Sequence, residues 1–175
     1  MGMSEFDEAY EDDPAREVDE QRLGEAILDS TIRSLEPRPA VCVPESATIR
    51  DAIRLMLEKE IGAVLVEGGG RVVGIFTERD VLRRVATSGV NLDRSVTDVM
   101  TADPESLGPD DGIAFALNKM IVGGYRHVPI LDEHGAPVAV LSLREVVAFI
   151  VTLLPKRVMN LPPEPRLSAR SADGG

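Results

Sequence analysis

Apolar residues recur along the chain with a helical period, and the same pattern appears twice. From Ile49 the apolar positions fall at i, i+3, i+4, i+7 and i+8, and from Ile113 they do the same. This spacing places a single hydrophobic stripe along an amphipathic helix. We therefore predict two helices with buried stripes, and the predicted core residues are Ile49, Ile53, Met56, Ile113, Leu117 and Met120.

Each of these helices is followed by two short runs rich in Val, Ile and Leu. The first half has runs at 63–66 and 72–76, and the second half has runs at 127–131 and 137–141. Such runs around glycine-containing turns predict β-hairpins. The three consecutive glycines of the first turn lack the Lys-Ser/Thr pair and the following helix of a phosphate-binding loop, so we interpret them as a hairpin turn.

The two halves are copies of one unit. Met56 and Met120 lie 64 positions apart, and Thr77-Glu-Arg-Asp80 aligns with Ser142-Leu-Arg-Glu145 at an offset of 65, because the second hairpin turn is one residue longer. Each of these motifs opens a further helix, and a helical lead-in precedes each half. A β-α-β-β-α unit of this size cannot bury its sheet alone. We predict an α/β fold in which two tandem half-domains pack sheet to sheet, with pseudo-twofold symmetry and a shared aliphatic core.

The predicted repeats span 21–90, with the lead-in helix, and 91–155. Residues 1–20 carry nine acids against Arg16, a net charge of −8, and such a segment is predicted to be a disordered acidic tail. Residues 156–175 form a predicted flexible, proline-containing tail. The whole chain carries −11, so the rest of the chain, at −3, is close to neutral.

Composition excludes several classes of function. The negative charge, the 3% aromatic content and the absence of Trp disfavour a nucleic-acid partner. No apolar run approaches the ~20 residues that span a bilayer, and the acidic N-terminus is unlike a signal peptide. Cys42 is the only cysteine, which fits a cytoplasmic location, and the two histidines make a transition-metal site improbable.

Three strings in the repeat resemble a known family. Ile61–Val66, Val73–Leu82 and Gly124–Ile130 are similar to the CBS domain, named for cystathionine β-synthase, which occurs in tandem pairs called Bateman modules. The resemblance covers about three quarters of the chain. It implies regulation of a separate partner protein, without catalysis and with no cofactor required, through an adenosine ligand bound in clefts between the repeats. The implied ligands are AMP, ATP, an NAD-type dinucleotide or S-adenosylmethionine.

The resemblance also implies a set of ligand-binding residues. Asp80 would accept hydrogen bonds from the ribose hydroxyls, Thr77 would contact a phosphate, and Arg126 or His127 would reach the phosphates from the second repeat. The remaining implied cleft residues are Ser142, Glu145, Ile61, Ala63 and Tyr125. Glu145 departs from the family pattern, which usually has Asp at this place, so the two clefts are expected to be unequal.

Each assignment has a structural alternative. A Ser or Thr followed three residues later by an acid, just before an apolar helical run, is a capping box, so Thr77–Asp80 and Ser142–Glu145 could serve only to start helices. Arg126 could equally be a solvated surface charge and His127 a packed strand residue.

Two functions therefore remain open at the level of sequence: a nucleotide-sensing regulator, and a ligand-free dimerisation or interaction module. No Ser/His/acid set, activated Cys or metal cluster supports an enzyme. Apolar stripes on the last helix of each half predict a disc-like homodimer, with these residues exposed on the module: Val81, Leu82, Val85, Val147, Ile150, Val151 and Leu154.

Overall fold

The computed structural model describes residues 23–154, and both predicted tails, 1–20 and 156–175, lie outside that range. The helices are α1 (residues 23–29), α2 (Ile49–Lys59), α3 (Glu78–Asp80, continued as a π-helix over Val81–Ala86), α4 (Ile113–Gly123) and α5 (Leu143–Leu153). The strands are β1 (Cys42–Pro44), β2 (Ala63–Gly68), β3 (Arg71–Thr77), β4 (Thr101–Ala102), β5 (His127–Leu131) and β6 (Pro137–Ser142). Short 3₁₀ turns lie at Ile32–Leu35 and Val96–Asp98. The predicted α/β class is confirmed.

Both predicted hairpins are present. β2 pairs antiparallel with β3, and β5 pairs antiparallel with β6. The first turn places Gly69 and Gly70 at φ of 60° and 78°. A two-residue hairpin turn with positive φ at both central positions matches the twist of its strands, and glycine adopts that backbone without steric cost. The glycine cluster is therefore a hairpin turn, as predicted.

The apolar stripes of α2 and α4 are buried for their first two turns. Ile49, Met56, Ile113 and Met120 are at most 5% exposed, whereas Ile53 and Leu117 are only partly buried. The last positions of the predicted stripes point away from the core, because Leu57 and Ile121 are 73% and 70% exposed. At 3.6 residues per turn, the side chain eight positions after the first one points about 80° away from it around the helix axis. The sheet covers a narrower part of the helix surface than this.

The segment that leads into each repeat packs on the other repeat. Val96 donates its backbone N–H to Ala47 O at 3.0 Å, beside α2, and Ile32 donates to Asp111 O at 2.9 Å, beside α4. Residues are exchanged between the sheets in the same way. Strand β4, from the segment that leads into the second repeat, completes the first sheet in the order β1-β2-β3-β4. Residue 39, from the segment that leads into the first repeat, forms a bridge to β6 of the second sheet. Neither repeat is therefore complete without residues that belong, in sequence, to its neighbour.

Three hydrophobic clusters result from this exchange. The cluster in the first repeat contains Phe76 and also Val96. The cluster in the second repeat contains Ile113 and also Ile32. A smaller cluster of Ala63, Leu65 and Ile75, with Val140 packed against it, lies between the two sheets. The sheet-to-sheet layer predicted from the sequence is present, but most of the core lies between each sheet and its own helices.

The first strand of the second repeat is reduced to a single bridge. Leu107 pairs in parallel with Ile130, where the first repeat has the three-residue strand β1. The next residue, Gly108, donates its N–H to the Asp111 carboxylate at 2.7 Å, which turns the chain toward α4.

The helices predicted to carry a dimer surface are only partly exposed. Leu82, Val147 and Val151 are 67%, 49% and 41% exposed. Val85 is only 7% exposed, so its predicted exposure is wrong. It packs into the core of the first repeat, and the predicted surface residues Val81 and Ile150 also pack, partly buried, against the two cores.

The exchanged lead-in should contribute strongly to stability. Ile32 is fully buried in the second core, so Ile32→Ala should lower the free energy of unfolding by about 2–5 kcal/mol. Leu28, which is 69% exposed on α1, is the control. Leu28→Ala should change the free energy of unfolding by less than about 0.5 kcal/mol. Urea unfolding monitored by circular dichroism measures both. Equal effects of the two substitutions would show that the lead-in is not part of the core.

Candidate functional site

A cleft of about 500 Å³ lies between the two repeats. The first repeat supplies the end of β3 and the start of α3, including Thr77 and Asp80, and the second supplies the turn between α4 and β5, including Tyr125. The chain from β4 to Glu105 closes one wall. A more open depression of about 470 Å³ lies between β1 and α2, but a single repeat lines it.

Thr77 and Asp80 form a complete capping box at the start of α3. The Asp80 Oδ2 atom accepts from the Thr77 backbone N–H at 3.0 Å and from the Thr77 hydroxyl at 2.7 Å, and Thr77 Oγ1 accepts from the Asp80 N–H at 3.4 Å. Asp80 is only 8% exposed and is the one buried charged residue in the part of the chain described. The capping box that the sequence allowed as an alternative is therefore present, and its hydrogen bonds use only one of the two carboxylate oxygens of Asp80.

The second oxygen of Asp80 faces a cation. Arg84 Nε lies 3.5 Å from Asp80 Oδ1, and the same guanidinium donates to the backbone carbonyls of Val99 and Met100. Arg84 stands on the π-helix that continues α3. A π-helix within a helix is frequent at functional sites, because it changes the direction of the side chains that follow. This cation connects the buried carboxylate to the segment that joins the repeats.

The second repeat approaches through the glycine-rich end of α4. Gly124 adopts φ of 66° as the helix C-cap, and its carbonyl accepts a hydrogen bond from Arg79 of the first repeat. A Cβ at Gly123 would clash with the Tyr125 ring, so only glycine allows the ring to lie over the helix end. The Tyr125 hydroxyl donates to Glu105 at 2.7 Å. Burial and then this hydrogen bond raise the pKa of Tyr125 to about 12.

His127 lies where the two repeats meet. A Cβ at Gly62 of the first repeat would be 3.0 Å from its ring carbon Cε1. Burial lowers the pKa of His127 below its usual value, the Glu78 and Glu145 carboxylates oppose that shift, and the Arg126 and Arg79 guanidinium groups add to it. His127 is therefore a largely enclosed imidazole between acids and cations of both repeats.

Two guanidinium groups of the cleft have no side-chain partner among the residues that the structure describes. Within residues 23–154, Arg83 and Arg126 make no side-chain hydrogen bond or ion pair, although both line the cleft. In contrast, the acids Asp80 and Glu105 are engaged, Glu105 by Tyr125 and by Lys119 Nζ at 3.1 Å. The cleft therefore offers cations to an anionic group while part of its own negative charge is already compensated.

The other predicted site residues lie outside this cleft. Ser142 and Glu145 form their own capping box at the start of α5, in which Glu145 Oε2 accepts from the Ser142 backbone N–H at 2.8 Å and from its hydroxyl at 2.6 Å. Ala63 is 4% exposed in the layer between the sheets, and Ile61 packs against the first core. These four residues do not line the cleft, although Ala63 and Ser142 are the strand partners of Thr77 and His127. The five predicted site residues that do line it are Thr77, Asp80, Tyr125, Arg126 and His127.

Sequence reasoning missed Arg83, Arg84, Asp103 and Glu105. The two arginines lie three and four residues after Asp80, in a segment that the structure has as a π-helix. The regular helix predicted from the sequence did not indicate that their side chains would face the cleft. Asp103 and Glu105 lie in a connection without a motif. The available signal was the alignment of the repeats, because the second copy has no arginine at the positions matched to Arg83 and Arg84.

The described part of the chain offers neither a metal site nor a membrane span. Among residues 23–154 there is no group of three or more His, Cys, Asp or Glu side chains that could hold a metal ion. In the same range, every helix is too short or too polar to cross a membrane.

A family model, the CBS domain, matches the chain twice, at residues 32–87 and 96–152. These matches together cover more than half of the chain. They coincide with the two copies of the internal repeat.

Curated relatives share this region. A CBS domain-containing protein of Arabidopsis thaliana is 33% identical over 122 residues, which are 69% of this chain and 22% of the relative. An uncharacterised 17.7 kDa protein of Acidianus ambivalens is 34% identical over 105 residues, 59% of this chain and 63% of that protein. The chain thus spans about a fifth of the length of the plant relative that it matches.

Solved structures share the fold. A CBS-domain containing protein from Agrobacterium tumefaciens is 31% identical with a TM-score of 0.63, covering 69% of this chain and 98% of that one. A CBS domain protein from Pyrobaculum aerophilum, whose structure is a complex with AMP, is 28% identical with a TM-score of 0.63, covering 70% and 99%.

Protonation of His127 should destabilise the fold. Its pKa is lowered in the folded state, so the stability from the neutral imidazole is fully present above the unfolded-state value, about 6.5, and is lost as pH falls through the folded-state pKa. The free energy of unfolding should therefore fall more steeply between about pH 7 and about pH 5 for the parent than for His127→Gln.

Urea unfolding at a series of pH values measures this difference. His134→Gln is the control, because the His134 side chain is 80% exposed, and it should keep the parental slope. Parallel profiles for the parent and His127→Gln would contradict the assignment.

Proposed function

This chain belongs to the CBS-domain family, and we propose that it is a regulatory module that binds an adenosine nucleotide in the cleft between its repeats. In this proposal the ligand is AMP or a related nucleotide, and occupancy of the cleft controls a separate partner protein. The module acts by binding and carries out no catalysis. A cytoplasmic location stays a prediction from the cysteine content.

One observation carries the proposal: a single cleft is lined by a buried carboxylate of one repeat and by a guanidinium group of the other that has no side-chain partner within residues 23–154. Asp80 comes from the first repeat and Arg126 from the second. A ribose phosphate has two hydroxyl donors at one end and an anion at the other, which is the complement of this pair. The AMP complex of the Pyrobaculum relative, similar in sequence and fold over 70% of this chain, supports an adenosine ligand.

The hydrogen bonds of Asp80 leave room for this role. Its Oδ2 atom is engaged by Thr77, whereas Oδ1 has only the longer contact of 3.5 Å with Arg84. A carboxylate oxygen has two lone pairs, so Oδ1 can accept from ribose hydroxyls while Oδ2 continues to cap the helix. Capping and ligand binding therefore do not compete for the same atom.

Arg126 and His127 would contact the phosphate in this proposal. Arg126 is exposed and has no side-chain partner within the described residues, so it can form two parallel hydrogen bonds to a phosphate. His127 is more enclosed and would contribute a single ring N–H. Tyr125 would border the cleft beside Glu105.

Asp80 variants test the ribose assignment. Asp80→Asn and Asp80→Ala should each weaken AMP binding by about 2 kcal/mol or more, some thirtyfold, because the buried charged acceptor of two hydroxyls becomes a neutral amide in the first and is removed in the second. Asp51→Ala is a matched control, since Asp51 forms the same capping box with Thr48 on α2, outside the cleft. It should cost about 1 kcal/mol of stability and leave binding unchanged.

Isothermal titration calorimetry with AMP, ATP, NAD and S-adenosylmethionine measures the affinities, and thermal melting measures the stability. If the Asp80 variants melt lower but bind AMP as tightly as the parent, Asp80 is only a helix cap. If none of the four compounds binds the parent, the alternative of a ligand-free interaction module is favoured.

A second copy of the chain is the proposed partner for the exposed helix faces. Leu57 and Ile121 occupy matched positions of the two repeats and are 73% and 70% exposed, and the same holds for Leu82 and Val147 at 67% and 49%. The apolar surface is therefore repeated about the pseudo-twofold axis. A surface with this symmetry fits a partner that presents the same surface, as in a twofold homodimer.

The assembly can be checked by light scattering. The parent should have the mass of a dimer at micromolar concentration, and Leu82→Glu with Val147→Glu should be monomeric, because two charges would be buried without partners. Glu58→Gln, at an exposed position on α2, is the control that should remain dimeric. A monomeric parent would remove the proposal.

A further inference from the structure

The pseudo-twofold relation pairs the cleft described above with a second set of positions. At an offset of 65, Thr77 and Asp80 correspond to Ser142 and Glu145, and at an offset of 64, Arg126 corresponds to Gly62. A second cleft built from these positions would also contain a capping carboxylate, that of Glu145. The difference between the clefts lies in the residues around that carboxylate.

The guanidinium groups of the first cleft are not repeated. Arg83 and Arg84 correspond to Ala148 and Phe149, and Arg126 corresponds to Gly62. Three of the four arginines that line the first cleft are therefore absent from the matched positions. Only Arg79 has a matched arginine, Arg144, which is exposed at the start of α5.

The backbone differs at the same place. After Asp80 the first repeat continues as a π-helix over Val81–Ala86, whereas the second continues as a regular α-helix through Leu153. Phe149 and Leu143 pack against the core of the second repeat. Where the first repeat directs Arg84 to the cleft, the second repeat has Phe149, which packs against its core. Where the first repeat has Arg83, the second has the exposed Ala148.

We propose that the chain takes one phosphorylated nucleotide, in the cleft lined by Arg83 and Arg126, and that these two arginines make the site selective for a phosphate over an uncharged nucleoside. This inference rests on the proposed function and specifies the ligand class and the number of ligands. A phosphate requires charge-assisted donors to replace its lost hydration, and a site without them disfavours the anion. Arg83 and Arg126 are the arginines of the cleft that the fold itself leaves unengaged within the described residues.

The remaining arginines of the cleft have structural tasks. Arg79 donates to the Gly124 carbonyl, and Arg84 holds Asp80 and two carbonyls of the segment joining the repeats. Their removal would disturb the fold as well as the ligand. Arg83 and Arg126 can be replaced without breaking a side-chain hydrogen bond or ion pair in the range 23–154, which makes them suitable for a test of binding alone.

Calorimetric titrations with AMP and with adenosine test the inference on the full chain. The parent should bind one AMP per chain, and adenosine about tenfold or more weaker, because two charge-assisted contacts are missing. In Arg83→Gln with Arg126→Gln, AMP affinity should fall by about tenfold or more, toward that of adenosine, while adenosine affinity stays unchanged.

A matched variant examines the second set of positions. Arg144→Gln removes the one arginine that the repeat places at a position matched to the cleft, exposed in the structure, and it should leave AMP affinity and stoichiometry unchanged. Thermal melting of all variants checks that they remain folded.

The outcomes separate the two proposals. Two AMP molecules per chain, a loss of AMP affinity in Arg144→Gln, or equal parental affinity for AMP and adenosine would each overturn this inference while leaving nucleotide binding intact. Failure of both AMP and adenosine to bind the parent would overturn the proposed function itself, and this inference with it.

Discussion

The structure depends on one constraint: neither repeat can close its hydrophobic core with its own residues. Val96 fills the core of the first repeat and Ile32 that of the second, and each is fully buried. The backbone hydrogen bonds that hold these segments are equivalent in the two repeats, at 3.0 Å and 2.9 Å. The chain therefore has to cross between the repeats twice, and one of these crossings, from β4 to Glu105, becomes a wall of the cleft.

Each half of the cleft uses a feature that the fold already requires. Thr77 and Asp80 start a helix, and Gly124 ends one. A capping carboxylate is held rigidly by its own hydrogen bonds, so it can face a ligand without a further loss of conformational freedom. The site is thus formed by helix termini of the two repeats, and three of the four arginines around it have no counterpart at the matched positions.

Much of the fold could be predicted from the sequence, because hydrophobic period and turn chemistry act locally. The hairpin at Gly69–Gly70 and the buried stripes of α2 and α4 follow from patterns within a few residues. The exchange of Ile32 and Val96 could not be predicted, since an apolar residue in a short turn does not indicate which core it enters. The π-helix over Val81–Ala86 could not be predicted either, because no residue pattern signals it. In the candidate site, the motif residues were identified, whereas Arg83 and Glu105 reach the cleft only through tertiary structure.

The exchange of lead-in segments also bears on how the chain folds as it leaves the ribosome. The first repeat ends, in sequence, before Val96 and β4 have been synthesised, so its core lacks a wall and its sheet lacks an edge strand when the rest of it is available. Contacts between residues far apart in sequence are slow to form. The two repeats are therefore not independent vectorial folding units, and a nascent first repeat exposes apolar surface until the second repeat begins to emerge.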